Sequence, residues 1–235
     1  MSVLNFRENT VPELSISAGA DDEVTYIHQF GFTDGISSSD TPVSIQPSRS
    51  LYPFLTSASQ LTLASTLSDT NNVTVYGLDA NYDPIQELVT LNGTTGVLTT
   101  QSFLRVHSIV CDTTNTGTVT AKVGTDTLAE IRPNQLKSLM AVYTTPRGYT
   151  GFLMGVDVSV NKGHDAVVDM YARASGDFKI QFTSDVYESA YSYRPAIPIK
   201  LPQMTDIDFR ISGVENSNTR VACGFELVLD KCLNY

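Results

Sequence analysis

Asp79, Asn81 and Asp83 are the residues whose type and spacing come nearest to doing chemistry in this chain. Oxygen ligands at positions one, three and five open a calcium-binding loop, in which a hard cation is held by carboxylate and carbonyl oxygens. The pattern then departs from that loop. Pro84 stands where it needs a glycine for its sharp turn, and Thr90 stands where the bidentate glutamate should be, leaving Glu87 as a further carboxylate. Asx side chains at a hairpin tip also accept hydrogen bonds from their own backbone, and the departures favour this turn-forming role.

Other combinations are weaker. Glycoside hydrolysis on a β-fold needs two converging carboxylates, and Asp157, Asp165 and Asp169 are the acids a fold could bring together, but the chain has no Trp to stack on a sugar ring. His28, His107 and His164 lie far apart in sequence, and His107, within FLRVHSIV, reads as a core or edge histidine. Cys111, Cys223 and Cys232 are an odd number without close pairing, so buried free thiols are expected rather than a disulfide framework or a thiolate metal site. There is no G-x-S-x-G elbow, no G-x-G-x-x-G, no P-loop, no H-E-x-x-H and no C-x-x-C. The expectation is a protein that is not an enzyme, with no catalytic, cofactor-binding or metal-binding residues and no cofactor.

Charge narrows the partners. A net charge of −10 opposes nucleic acid and anionic lipid, both of which call for clustered Lys and Arg. The bases are instead scattered singly, as at Arg105, Lys122, Arg132, Lys137, Arg147, Lys162 and Arg173, which reads as a solvated surface. No apolar run approaches the roughly 20 residues of a membrane helix, and the N-terminal stretch lacks the basic-then-apolar order of a signal peptide, so synthesis in a cytoplasm is expected. The sequons at Asn72 and Asn92 then read as turn-rich β-sequence.

The elements that would position these residues are strands. Alternating apolar residues bounded by Gly, Asn and Asp recur about every 8–12 residues, and this is the pattern of an all-β, antiparallel, jelly-roll-like sandwich. The stretch 73–110 reads as three strands joined by turns at Gly77–Asn81 and Asn92–Gly93, with Phe103 to Val110 as one strand. Strands are also expected at Val24–Phe30, ending at Gly31–Gly35, and from Leu61, with hairpin arms over 117–123 and 128–131. Further strands are expected at 136–144, 148–160, 166–174, 178–182, 207–211 and 221–229. Residues 1–22 suggest an extended arm, and Pro42, Pro47 and Pro53 suggest that Val43 to Phe54 is an edge or surface crossing. The division expected is residues 1–56 as N-terminal arm and edge segments, and residues 57–235 as the sandwich. Val186 to Pro202, with Tyr187, Tyr191 and Tyr193, reads first as a surface loop and second as a contact surface.

Six segments together resemble a family of virion structural proteins of tailed, marine-type bacteriophages: YIHQFGF from Tyr26, DTNNVTVYGLDANYDPIQELVTLNGT from Asp69, FLRVHSIV from Phe103, NTGTVTAKVG from Asn115, AVYTTPRGYTGFL from Ala141 and KLPQMTDIDFRI from Lys200. The resemblance implies a virion component similar to head-decoration (cement) or neck and tail proteins. It implies the major capsid protein as partner, with a homo-oligomer, a trimer for choice, sitting at local threefold positions. The matching motifs are turns and strands, so no site residue carries over. The alternatives are a neck, tail or fibre-attachment protein, a carbohydrate-binding receptor module with its mouth at Asp79 and Tyr187–Tyr193, and a hydrolase.

Overall fold

The computed structural model describes residues 23–231, so the expected arm at residues 1–22 and Cys232 lie outside the described residues. The described chain is all-β and folds as two antiparallel sandwiches, one inserted into the other. The first begins with β1 (Val24–Ile36) and β2 (Val43–Ser44). It resumes after residue 140 with β10 (Val142–Thr144), β11 (Tyr149–Val160), β12 (Asp165–Arg173), β13 (Lys179–Tyr187), β14 (Ala190–Tyr193), β15 (Ile199–Leu201), β16 (Asp206–Val214) and β17 (Thr219–Lys231). One sheet runs β1-β17-β11-β14 with β15 also on β11; the facing sheet runs β10-β16-β12-β13 with β2 also on β16. Strict alternation along β17 turns Val221, Cys223, Phe225, Leu227 and Leu229 into the space between the sheets, where the Phe225 and Phe209 rings stack with centroids 5.0 Å apart.

The inserted sandwich holds β3 (Ser59–Ser65), β4 (Asn72–Leu78), β5 (Pro84–Thr90), β6 (Val97–Phe103), β7 (Arg105–Cys111), β8 (Val119–Val123) and β9 (Asp126–Ile131). Its sheets are β6-β3-β8-β9 and β5-β4-β7, closing on a second apolar core around Leu61, Val75, Phe103, Ile109 and Leu128. Where β5 meets β6 the Glu87 carboxylate replaces a backbone ladder, accepting the N–H groups of Thr100 and Gln101 at 2.7 and 2.8 Å. Across the opposite end the buried Asp69 carboxylate accepts the Ser65 hydroxyl and the backbone N–H groups of Thr116 and Gly117, all within 2.8 Å. Burial alone would raise its pKa, but these donors and the Thr116 hydroxyl hold it well below the usual carboxylate range.

The two cores meet in one extended segment. Met140 and Val142 point into the inserted core, while Ala141 and Tyr143 point into the first, so period two with both faces buried serves two sandwiches at once. Residues 24–46, read from sequence as arm and edge, supply β1 and β2 of the first sandwich, so the cores divide near residues 50 and 140 instead of at residue 56. Five further expectations are corrected. β1 does not end at Gly31 but runs to Ile36, and Val43 to Pro47 is a buried crossing capped by two residues of edge pairing. Phe103 to Val110 breaks at Leu104, whose N–H is held by Leu78 O at 2.8 Å as the chain passes from one sheet to the other. Within 136–144 the strand is only β10, and the loop at 186–202 contains β14 and β15, both paired with β11.

Gly31 persists inside a strand because two backbones approach it. A Cβ there would collide with the N of Ala141 and the O of Ile45, the segments that carry the chain between sandwiches. Gly31→Ala is therefore expected to destabilise the protein by more than about 2 kcal/mol, the range for forced overpacking, read as a lowered midpoint in urea denaturation.

Candidate functional site at the junction of the two sandwiches

Three strand ends meet where the sandwiches join. Arg105 opens β7, Arg173 closes β12 and Asp206 opens β16, each placed by the apolar register of its strand. Arg105 grips Asp206 bidentately, Nε to Oδ1 at 2.7 Å and Nη2 to Oδ2 at 2.9 Å, while its Nη1 donates to the carbonyls of Leu55 and Leu104 at 2.8 Å. Arg173 adds Nε and Nη2 to the same Oδ2 at 3.1 and 2.6 Å, and the Thr144 hydroxyl donates to Oδ1 at 2.7 Å. Five donors saturate the lone pairs of Asp206, so this carboxylate is an anchor on which three strand ends and Thr144 converge.

Aromatic rings separate the cations. Tyr82, Arg105, Phe54, Arg173, Phe178, Arg210 and Tyr171 alternate as a ladder, with guanidinium-to-centroid distances between 4.3 and 5.6 Å along it. Each cation stacked on a desolvated ring is worth roughly 0.5–2 kcal/mol, and the ladder crosses from the inserted sandwich to the first. Beside it opens a cavity of about 540 Å³, walled by Phe54, Tyr82, Arg105, Arg173, Met204 and Asp206.

A second acid lies two residues on. Asp208 is fully buried; its Oδ2 accepts Arg210 Nε at 2.6 Å and the Ser44 hydroxyl at 3.0 Å, and its Oδ1 has no partner among the described residues. Burial pushes its pKa up to about 6 against the opposing pull of Arg210. Ser44 Oγ in turn accepts the Tyr52 N–H at 2.8 Å, and the Tyr52 hydroxyl donates to Val106 O at 3.1 Å, so Asp208 too is wired across the junction.

The residues singled out from sequence are not brought together. Asp79 Oδ1 accepts the N–H groups of Asn81 and Asp83 at 2.7 and 2.9 Å, the Asx-turn role, and Asp83 pairs with Arg147 at 2.6 Å, while Glu87 serves the β5–β6 seam. Asp157 lies on β11, paired with Arg194, while Asp165 and Asp169 lie on β12 in the facing sheet. His107 stacks on Tyr143 at 4.1 Å and its Nε2 accepts the Thr144 N–H at 3.2 Å; burial lowers its pKa to about 3, so it is a neutral structural group. Cys111 and Cys223 are buried free thiols. The scattered bases are not all solvated, since Arg105 is only 3% exposed. The missed residues left one trace in the sequence: Asp206, Asp208 and Arg210 alternate with Ile207, Phe209 and Ile211, and a charge buried in such a strand must find a partner.

A second feature is the outer face of the sheet carrying β1. Tyr26 and Phe30, each 41% exposed, alternate along it, and Val228 and Phe152 continue the row from Tyr26 across β17 and β11, with Met154 beside them. Arg194 lies over Gly155 in the middle of this face, where a Cβ would occupy its place, and donates to Asp157 at 2.7 Å. In the segment read first as a surface loop and second as a contact surface, Tyr191 and Tyr193 pack over Phe182, and Tyr187 remains exposed. No protein-family model matches the chain, and no curated protein matches it.

Arg105→Met leaves Asp206 buried with three of its five donors, so a loss of about 3–5 kcal/mol is expected in chemical denaturation. For Asp208 the folded pKa, about 6, lies above the unfolded value of about 3.9, so protonation favours the folded state. Its contribution is present below pH 4 and is lost as pH rises from about 4 to 6, on the order of 3 kcal/mol. Asp208→Asn, which mimics the protonated acid, is expected to flatten that slope in denaturation midpoints measured across pH 4–7.

Proposed function

We propose that this chain is a structural protein of a tailed-phage virion, decorating or cementing the head through contacts with major capsid subunits. The observation that carries the reading is the outer sheet face built from Tyr26, Phe30, Phe152, Met154 and Arg194, because aromatic residues, Met and Arg are the types enriched at protein interfaces. The six segments that resemble phage structural proteins support the same reading, and one of them carries Tyr26 and Phe30 themselves. Two sandwiches joined by the buried Arg105–Asp206 pair suit a protein that acts as a rigid spacer. Each copy would bury about 1,600 Å² against its neighbours, and many such contacts in parallel resist pressure from inside the shell. A homotrimer at local threefold positions is part of the proposal.

Two measurements test it. Quantitative mass spectrometry of purified particles is expected to find hundreds of copies; a few to a few dozen would reassign the chain to the neck or tail, and absence would refute the virion reading. The double variant Tyr26→Ser, Phe30→Ser changes only exposed side chains and is expected to fold normally, yet to fall at least tenfold in copies per particle, the effect of removing aromatic anchors worth about 2 kcal/mol. Normal incorporation of that variant would refute the assignment of the face.

A further inference from the structure

The ion pairs of the junction join three guanidinium groups, of Arg105, Arg173 and Arg210, to two carboxylates, of Asp206 and Asp208, and the adjacent crevice that Arg173 also walls is lined by Asp177, Lys179 and Lys200. The Nε and Nη2 of Arg173 share the Oδ2 of an already saturated Asp206, and its Nη1 donates to nothing among the described residues. The end-on edge of this guanidinium, Nη1 with the second hydrogen of Nη2, is the edge that matches the two oxygens of a carboxylate or a phosphate. Phe178, 4.3 Å from the guanidinium carbon, and Phe54, at 5.3 Å, fix its plane, so the edge is oriented before any ligand arrives.

Arg173 is also a wall of the 540 Å³ cavity, and its side chain is 27% exposed. That volume lies within the roughly 300–1,000 Å³ of small-molecule sites, and a crevice between two folded units is where such sites occur most often. Ser57 and Ser175 line it with hydroxyls, and Tyr82 and Met204 line it with apolar surface. A rigid fork, hydroxyls and a ring around one space are the parts of a site for a compact organic anion.

We propose that this cavity binds a small molecule carrying a carboxylate or phosphate group, received by the end-on edge of Arg173 and screened from solvent by Tyr82 and Met204. Asp206 orients Arg173 and does not touch the ligand. The proposal is independent of any place in a virion.

Isothermal titration calorimetry on the full chain tests it, with inorganic phosphate and glutarate as probes and sodium chloride at matched ionic strength as reference. Saturable binding of at least one probe is expected, and the tighter of the two names the head group. Arg173→Met and Ser175→Asp are each expected to weaken it at least tenfold, the first by removing the fork and the second by supplying a carboxylate from the cavity wall. Arg147→Met, which breaks a surface pair outside the cavity, is expected to leave affinity unchanged. Ser175 is exposed on the turn after β12, so its variant keeps the test decisive if Arg173→Met fails to fold. Heat no greater than that of sodium chloride for both probes, or undiminished affinity in folded Ser175→Asp protein, would overturn the proposal.

Discussion

A carboxylate shared by two guanidinium groups in the interior sets the terms for the rest of this molecule. Asp206 is 2% exposed, and an ionised acid at that depth is tolerable only if every lone pair is engaged. Its partners come from strands far apart in sequence: β7 in the inserted sandwich, β10 and β12 in the first. Satisfying one buried charge therefore fixes how two sandwiches sit against each other. Apolar cores alone would not fix this, because hydrophobic contact is non-directional whereas a bidentate arginine has one productive geometry.

The same junction explains why the chain tolerates an insertion. The inserted sandwich leaves the first after β2 and returns to it at β10, and the two crossings lie side by side against Gly31. Entry and exit that are close together let a whole domain be accommodated without prising the host sheet apart. Gln29 reinforces the seam by donating to His107 O at 2.8 Å and to Val142 O at 3.2 Å, and Arg132 clasps the far side, pairing with Asp34 at 2.9 Å. The segment 140–143, feeding alternate side chains to two cores, could not be released from one sandwich without disturbing the other.

Asp69 and Asp208 show how differently two buried acids behave in one fold. Donors from four groups keep Asp69 ionised, so its contribution is present above the unfolded pKa of about 4 and is lost as pH falls below it. Asp208 has one oxygen without a partner among the described residues, so burial dominates and the proton is retained to about pH 6. Asp208 is also the deeper of the two, so depth and the count of hydrogen-bond donors separate them together.

The sequence by itself determined the all-β class, most strand positions and the turn at Asp79, because period-two alternation and Asx chemistry are local and depend on the next few residues only. It also marked Asp206, Asp208 and Arg210 as charges alternating with Ile207, Phe209 and Ile211 without saying what they meet. Only the tertiary structure decided that β1 continues through Gly31, that 103–110 divides between two sheets, and that Arg105 and Arg173, 68 positions apart, converge on one acid. Those outcomes depend on long-range closure. A glycine reads as a break until another backbone is seen lying against it, and a lone arginine reads as surface until its carboxylate arrives from a distant strand.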